Sequence, residues 1–228
     1  MKPRRHALIA YALLCTTPAL AADDNTFTFV QADRLEQLLD EDETVWDVQG
    51  WIGDDLHKLW VKAEGEREDS TDESELQLLY SRAWTPFFDW QIGLRQDFQP
   101  ESRTQLVVGL QGLAPQWFEI DSALFLSDEG DLSARVEVEY DVLLTQRLIL
   151  QPRLEVEMSA SDVPEFGIGS GLVQTEFGLR LRYEWHRKFA PYFGLNWTRF
   201  YGNTADIAVA AGGDDSDVSA LLGVRLWY

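Results

Sequence analysis

Cysteine is almost missing from this chain: among 228 residues there is one, Cys15. It falls inside an N-terminal stretch with the pattern of a removable export signal. The remainder then has no disulfide, no cysteine nucleophile and no cysteine-based metal site. Histidine and methionine are scarce too, at 3 and 2. Basic residues are outnumbered, with 19 Lys+Arg against 39 Asp+Glu and a net charge of −20. So acidic a chain repels phosphate backbones, which excludes generic nucleic-acid binding. No apolar run beyond the N-terminus approaches the ~20 residues of a membrane helix. What is abundant is aromatic and apolar: 9 Trp, 12% aromatics and 45% hydrophobic residues. That content rules out a disordered chain.

The first residues have the pattern of an export signal. Lys2, Arg4 and Arg5 form a basic start, and Ala7 to Cys15 is a short apolar stretch. Ala19-Leu20-Ala21 fits a small-x-small cleavage site, with the cut before Ala22. Residues 1–21 are therefore expected to be a signal peptide, 22–27 a short N-terminal segment and 28–228 the folded body. Removing residues 1–21 leaves 16 basic residues against 39 acidic, a net charge of −23.

The body repeats with period two. Leu132, Ala134, Val136, Val138, Tyr140 and Val142 alternate with Ser133, Arg135, Glu137, Glu139 and Asp141. Leu148, Leu150, Leu154, Val156 and Met158 alternate with Gln151, Arg153, Glu155 and Glu157. Val173, Phe177, Leu179, Leu181 and Tyr183 alternate with Gln174, Glu176, Arg180, Arg182 and Glu184. Strict alternation marks strands with one apolar and one polar face.

A soluble sandwich alternates as well, but three features favour an outer-membrane barrel. The strands are longer than the usual ~5–6 residues of soluble proteins. Connections alternate between short and long, and Trp and Tyr recur near strand ends. The expectation is a 12-stranded antiparallel transmembrane β-barrel. Its strands are placed at 28–39, 45–53, 57–66, 75–84, 89–98, 104–112, 117–126, 131–142, 147–158, 172–184, 189–200 and 217–228. Short turns fall at 54–56, 85–88, 113–116, 143–146 and 185–188. An Arg or Lys facing lipid costs about 2–4 kcal/mol at the midplane, so the charged face must line the lumen. Pro152 is expected to mark a bulge, because a closed ladder wants its missing donor. Phe125 and Ile149 are expected to pack inward. The final Gly223-Val224-Arg225-Leu226-Trp227-Tyr228 resembles the assembly signal of outer-membrane barrels, with Leu221 where that signal prefers a polar residue.

Several runs resemble the copper resistance protein B family. They are Trp46 to Gly53, Lys58 to Lys62 with Glu64-Gly65-Glu66, and Tyr80-Ser81-Arg82-Ala83. To these add Gly112-Leu113-Ala114-Pro115 with Trp117-Phe118-Glu119, and Ser133-Ala134-Arg135 through Tyr140-Asp141. Leu143 to Pro152, Gly167 to Gly171 and Phe189-Ala190-Pro191-Tyr192 complete the set. The resemblance implies an outer-membrane barrel in copper sequestration or export. It also implies periplasmic partners such as a multicopper oxidase or a copper chaperone. Family members often carry a Met- and His-rich segment before the barrel, whereas after residue 21 this sequence has only Met158, His57 and His186. Copper(I) prefers soft thioether or thiolate donors and copper(II) prefers imidazole. Any copper contact is thus expected to be weak or transient.

Arg135, Glu137, Glu139, Arg153, Glu155, Glu157, Glu176, Arg180 and Arg182 form a lumen ladder of both signs on adjacent strands. It serves either as a salt-bridge network filling a narrow barrel, the favoured reading, or as an acidic path that attracts cations. His57 and His186, with Glu184, are the only imidazole-containing metal candidates. They sit at turns on nearly opposite sides of a barrel about 20–25 Å across, which argues against one shared ion. Met158 is expected on the lipid face. The acidic runs Asp40 to Glu43, Glu64 to Glu75, and Asp214-Asp215 with Asp217 are expected to be solvated loops. The alternative gives them divalent cations between lipopolysaccharide phosphates. No HExxH, GxSxG or phosphate-binding glycine loop is present, and no Ser–His pair shares a strand face, so no enzyme is expected. The competing function is a generic structural or diffusion barrel without tight copper binding.

Overall fold

A computed structural model describes residues 26–39, 43–67 and 72–228. The expected signal peptide at 1–21 and the acidic residues Asp40 to Asp42 lie outside the described residues. Twelve antiparallel strands form one closed sheet: β1 (Phe27–Leu38), β2 (Thr44–Gly53), β3 (His57–Arg67), β4 (Asp72–Ala83), β5 (Phe88–Gln99) and β6 (Arg103–Ala114). They are followed by β7 (Phe118–Ser127), β8 (Leu132–Glu139, resumed at Val142–Leu143), β9 (Leu148–Ser159), β10 (Gly171–Tyr183), β11 (Phe189–Phe200) and β12 (Ser216–Trp227). Each strand pairs with the next, and β12 returns to β1 through Gln31 opposite Trp227 and Leu38 opposite Leu221. Closure leaves no free edge, so the backbone groups of the wall pair within the sheet except at local irregularities.

Side chains follow the alternation. Leu78, Leu94, Val108, Leu124, Leu154 and Leu195 are exposed on the outer surface. Their neighbours Leu79, Val107 and Phe125 are buried inside. Ile149 is buried as well. The exposed aromatics Trp84, Phe87, Trp117, Trp185 and Tyr228 cluster at the end carrying the short turns, where an interfacial girdle belongs.

Three of the five short turns share one device. Asp54 accepts the backbone N–H groups of Leu56 and His57 at 2.7 Å each. The Thr85 hydroxyl accepts those of Phe87 and Phe88, and the Thr145 hydroxyl those of Arg147 and Leu148. An acceptor at the first turn position thus satisfies donors that the ladder abandons.

Two irregularities differ from expectation. Pro152 is no bulge: it stays in register with Leu179, and the break falls opposite it, where β8 is interrupted at Tyr140 and Asp141. A proline has no N–H to give to the neighbouring strand. The bulge lies instead between Glu157 and Met158, where Leu172 rather than Val173 takes the outward place and Val173 is buried.

The expected loop 201–216 contains a helix, α1 (Gly202–Ala210). The Thr204 hydroxyl accepts the Gly169 N–H at 2.9 Å, and Asp162 accepts from Ser170 N–H at 2.7 Å and Asn203 Nδ2 at 3.0 Å. Those bonds, Asn203 first, hold the Asp162 carboxyl below its usual pKa. A depressed folded value stabilises the tie above the unfolded pKa and releases it as pH falls through the folded one. Faster amide exchange at Gly169 and Ser170 is therefore expected only at strongly acidic pH. Unchanged exchange there would remove the Asp162 tie.

Candidate functional site

The lumen is filled by ion pairs. On β8, Arg135 Nε reaches Glu157 at 2.8 Å and Glu155 at 3.4 Å on β9. Its two terminal nitrogens reach Glu64 on β3 at 3.1 Å and Glu75 on β4 at 3.3 Å. One guanidinium therefore ties walls that lie nearly opposite. Arg153 on β9 is 2% exposed and meets Glu176 at 2.7 Å, Glu137 at 2.5 Å, Glu139 at 3.6 Å and also Glu155. Arg95 on β5 binds Glu75 at 2.7 Å and Asp97 at 2.6 Å. The Arg95 and Arg135 guanidinium groups both lie over the Phe125 ring, at 4.9 and 5.8 Å.

Next to this layer, Arg180 forms a two-pronged pair with Glu36 at 2.6 and 3.0 Å. Tyr192 Oη donates to the same carboxylate at 3.0 Å. The Tyr192 ring lies so close over Gly223 that a Cβ there would come within 2.5 Å of it. Arg182 reaches Asp141 at 2.7 Å and Gln151 at 3.0 Å. Buried ions need partners of opposite sign, which this interleaving provides, although Arg180 Nη1, Arg182 Nε and Asp141 Oδ1 are buried without a hydrogen-bond partner.

Towards the short-turn end lies a cavity of about 530 Å³. Its lining runs from Pro86 and Phe87 at the rim to Glu64, Arg135 and Glu137 of the charge layer. One wall is apolar, built from Trp60, Leu79, Val107 and Phe125. The rest is mixed, with acidic residues, among them Asp33, Asp47, Glu119, Asp121 and Glu139, outnumbering the basic Lys58, Lys62, Arg135 and Arg225. Lys58 pairs with Asp89 at 2.6 Å, and Lys62 crosses from β3 to Asp121 on β7.

The residues singled out as metal candidates are not brought together. His57 starts β3, stacks on Tyr80 with centroids 5.9 Å apart, and has Nδ1 engaged with Tyr80 Oη. His186 lies in the turn between β10 and β11, beside Trp185. Glu184 precedes it, half-buried. Met158 is exposed on the outer surface. Among the described residues, no three His, Cys, Asp or Glu side chains are grouped to hold a metal ion. Such a donor set does not fit a tight copper centre.

Sequence reasoning placed the acidic run Glu64 to Glu75 in a loop, but β3 runs to Arg67 and β4 begins at Asp72. Both Glu64 and Glu75 are lumen partners of Arg135. Lys62, Arg95 and Asp121 were overlooked too. Their signal was the same alternation, in strands where glycines and glutamines dilute the charge.

A closed twelve-stranded sheet with an apolar belt, an aromatic rim and a charged interior defines a porin-like β-barrel of the outer-membrane type. The fold is similar to that of the NanC porin (TM-score 0.57, 12% identity, 88% of this chain and 99% of the other). It is likewise similar to the KdgM porin (TM-score 0.54, 10% identity, 88% and 98%). Within that class, the chain belongs to the copper resistance protein B family: the family model "Copper resistance protein B precursor (CopB)" matches residues 26–228. Copper resistance protein B of Escherichia coli is 48% identical over 185 residues, 80% of this chain and 62% of that protein. The Copper resistance protein B homolog of Pseudomonas syringae pv. tomato (strain ATCC BAA-871 / DC3000) is 42% identical over 205 residues, 88% and 70% of the two chains. The match thus spans under two thirds of the Escherichia coli relative.

Proposed function

We propose that the chain is a non-catalytic outer-membrane barrel of copper homeostasis, exported by its N-terminal signal. It sequesters or helps export copper together with a periplasmic multicopper oxidase or copper chaperone. Membership of the copper resistance protein B family carries this reading. The acid-rich cavity supports it, since carboxylates under low-dielectric walls concentrate cations. The contact is weak, with His57, His186 and Glu184 serving as separate rim ligands rather than one centre. Deleting the gene is expected to lower the copper concentration that stops growth. Copper titration of the purified barrel should show weak uptake, reduced in His57→Ala and in His186→Ala singly. Unchanged copper tolerance together with unchanged cellular copper would defeat the proposal. The second reading, a structural or diffusion barrel, is favoured by the scarcity of soft donors, Met158 being the one thioether and no cysteine lying among the described residues. It predicts that the titration shows no uptake at all.

A further inference from the structure

We propose that the barrel holds one anionic phospholipid at its short-turn end. The β8–β9 and β10–β11 turns take the headgroup, and a groove on the outer face takes an acyl chain. The two turns lie side by side, because β9 pairs with β10 from Leu148 opposite Tyr183 onward. The Glu184 N–H donates to the Arg147 carbonyl at 2.8 Å, which extends that pairing into the turns. Residues 143–147 and 184–188 carry Arg147, Arg187 and Lys188 against a single carboxylate, Glu184. This local excess is opposite in sign to the chain, which has 39 acidic and 19 basic residues. Arg147, Arg187 and Lys188 are exposed, and none forms an ion pair among the described residues. Of the other described arginines and lysines, only Arg82 and Arg199 share that state. Lys188 is held in place, its Nζ 3.4 Å from the centroid of the Tyr228 ring beyond β12.

The groove begins where these turns end. It has a volume of about 230 Å³ and is lined by Leu148, Leu181, Tyr183, Pro191, Phe193 and Leu222. Leu148 opens β9 next to Arg147, Tyr183 closes β10 next to Glu184, and Pro191 lies in the first turn-side residues of β11. The compact Pro191 ring leaves room between the longer Tyr183 and Phe193 side chains. Headgroup and chain sites are therefore continuous. A guanidinium fork matches a phosphate, and cations without a carboxylate partner are free to receive one. A zwitterionic lipid brings its own ammonium to the same place and gains less. Short turns mark the periplasmic end of such barrels, so the lipid belongs to the leaflet on that side. The site rests on the barrel fold and not on the copper reading, so a failed copper phenotype leaves it intact.

Native mass spectrometry of the purified barrel, released from detergent with equimolar phosphatidylglycerol and phosphatidylcholine, tests it. The wild type should retain one phosphatidylglycerol in preference to phosphatidylcholine. A cation near an anionic lipid surface is worth about a factor of five. Arg147→Gln/Arg187→Gln/Lys188→Gln should therefore weaken that retention by at least about tenfold. Leu222→Trp, which fills the groove and leaves the cations in place, should weaken it too. Arg82→Gln removes an unpaired arginine from β4, six strands around the barrel from β10, and should change nothing. Heat-shifted gel mobility checks that each variant is folded. Equal retention of the two lipids by the wild type overturns the proposal. So does a folded triple variant that retains phosphatidylglycerol like the parent, or an equal loss in Arg82→Gln. Unchanged retention in Leu222→Trp would reduce the site to surface attraction and overturn it as well. If the triple variant fails to fold, Arg187→Gln alone makes the same comparison, and the wild-type preference stands or falls by itself.

Discussion

Arg153→Met is expected to cost the barrel about 3–5 kcal/mol, the range for removing one partner of a buried ion pair. Arg153 is 2% exposed and is shared by four carboxylates, Glu137, Glu139, Glu155 and Glu176. Methionine fills much of the same volume, so the loss is electrostatic rather than a cavity. Glu155 and Glu176 face each other across β9 and β10, and Glu155 faces Glu137 across β9 and β8. Without the guanidinium these like charges stand opposite one another, with only the more distant Arg135 (3.4 Å from Glu155) and Arg34 (3.9 Å from Glu176) left to offset them. Arg153→Lys should fall between, because one ammonium cannot serve carboxylates on three strands with a fixed fork. Adding Glu155→Gln to Arg153→Met should recover part of the loss by removing one stranded charge. Urea titration of the barrel in lipid vesicles, followed by tryptophan fluorescence, gives the difference. A shift under ~1 kcal/mol would mean that the network behaves like exposed pairs, and the filled-lumen picture would fail.

How much of this was legible in the sequence depends on the range of the interaction. Strand positions come from a local signal, the alternation of Leu132 to Val142 being the clearest case. The observed strand ends lie within about three residues of those expected. Lumen-facing arginines were legible because lipid excludes them. The partners of Arg135 were not. Glu64 and Glu75 lie 71 and 60 residues away, and only closure of the sheet brings β3 and β4 opposite β8. No pattern along the chain encodes that distance. The helix Gly202–Ala210 was missed for a different reason. Its first turn has neither a side-chain cap nor an acidic residue, so the usual start signals are missing. It is held instead by tertiary bonds to Gly169 and Asp162. Pro152 misled because its effect appears on the neighbouring strand rather than on its own.

Leu78 and Leu79 are adjacent on β4 and test the inversion most directly. Leu78 is 52% exposed on the outer surface, whereas Leu79 is 1% exposed within the Trp60, Val107 and Phe125 cluster. Leu78→Arg should cost about 2–4 kcal/mol, since the position lies near mid-strand and the charge enters hydrocarbon. Leu79→Ala should cost a similar ~2–5 kcal/mol by the separate route of lost packing and a residual cavity. Bilayer thickness separates the two causes. In thinner vesicles the Leu78→Arg guanidinium lies nearer the headgroups and the penalty falls, while the Leu79→Ala penalty stays fixed. A soluble sandwich would give the opposite ranking. There Leu78 would face water, and its arginine variant would fall within about ±0.5 kcal/mol of the parent, as surface substitutions do. A neutral Leu78→Arg beside a damaging Leu79→Ala would therefore turn the molecule outside in. The charged interior would remain, but the apolar belt could no longer be a lipid contact.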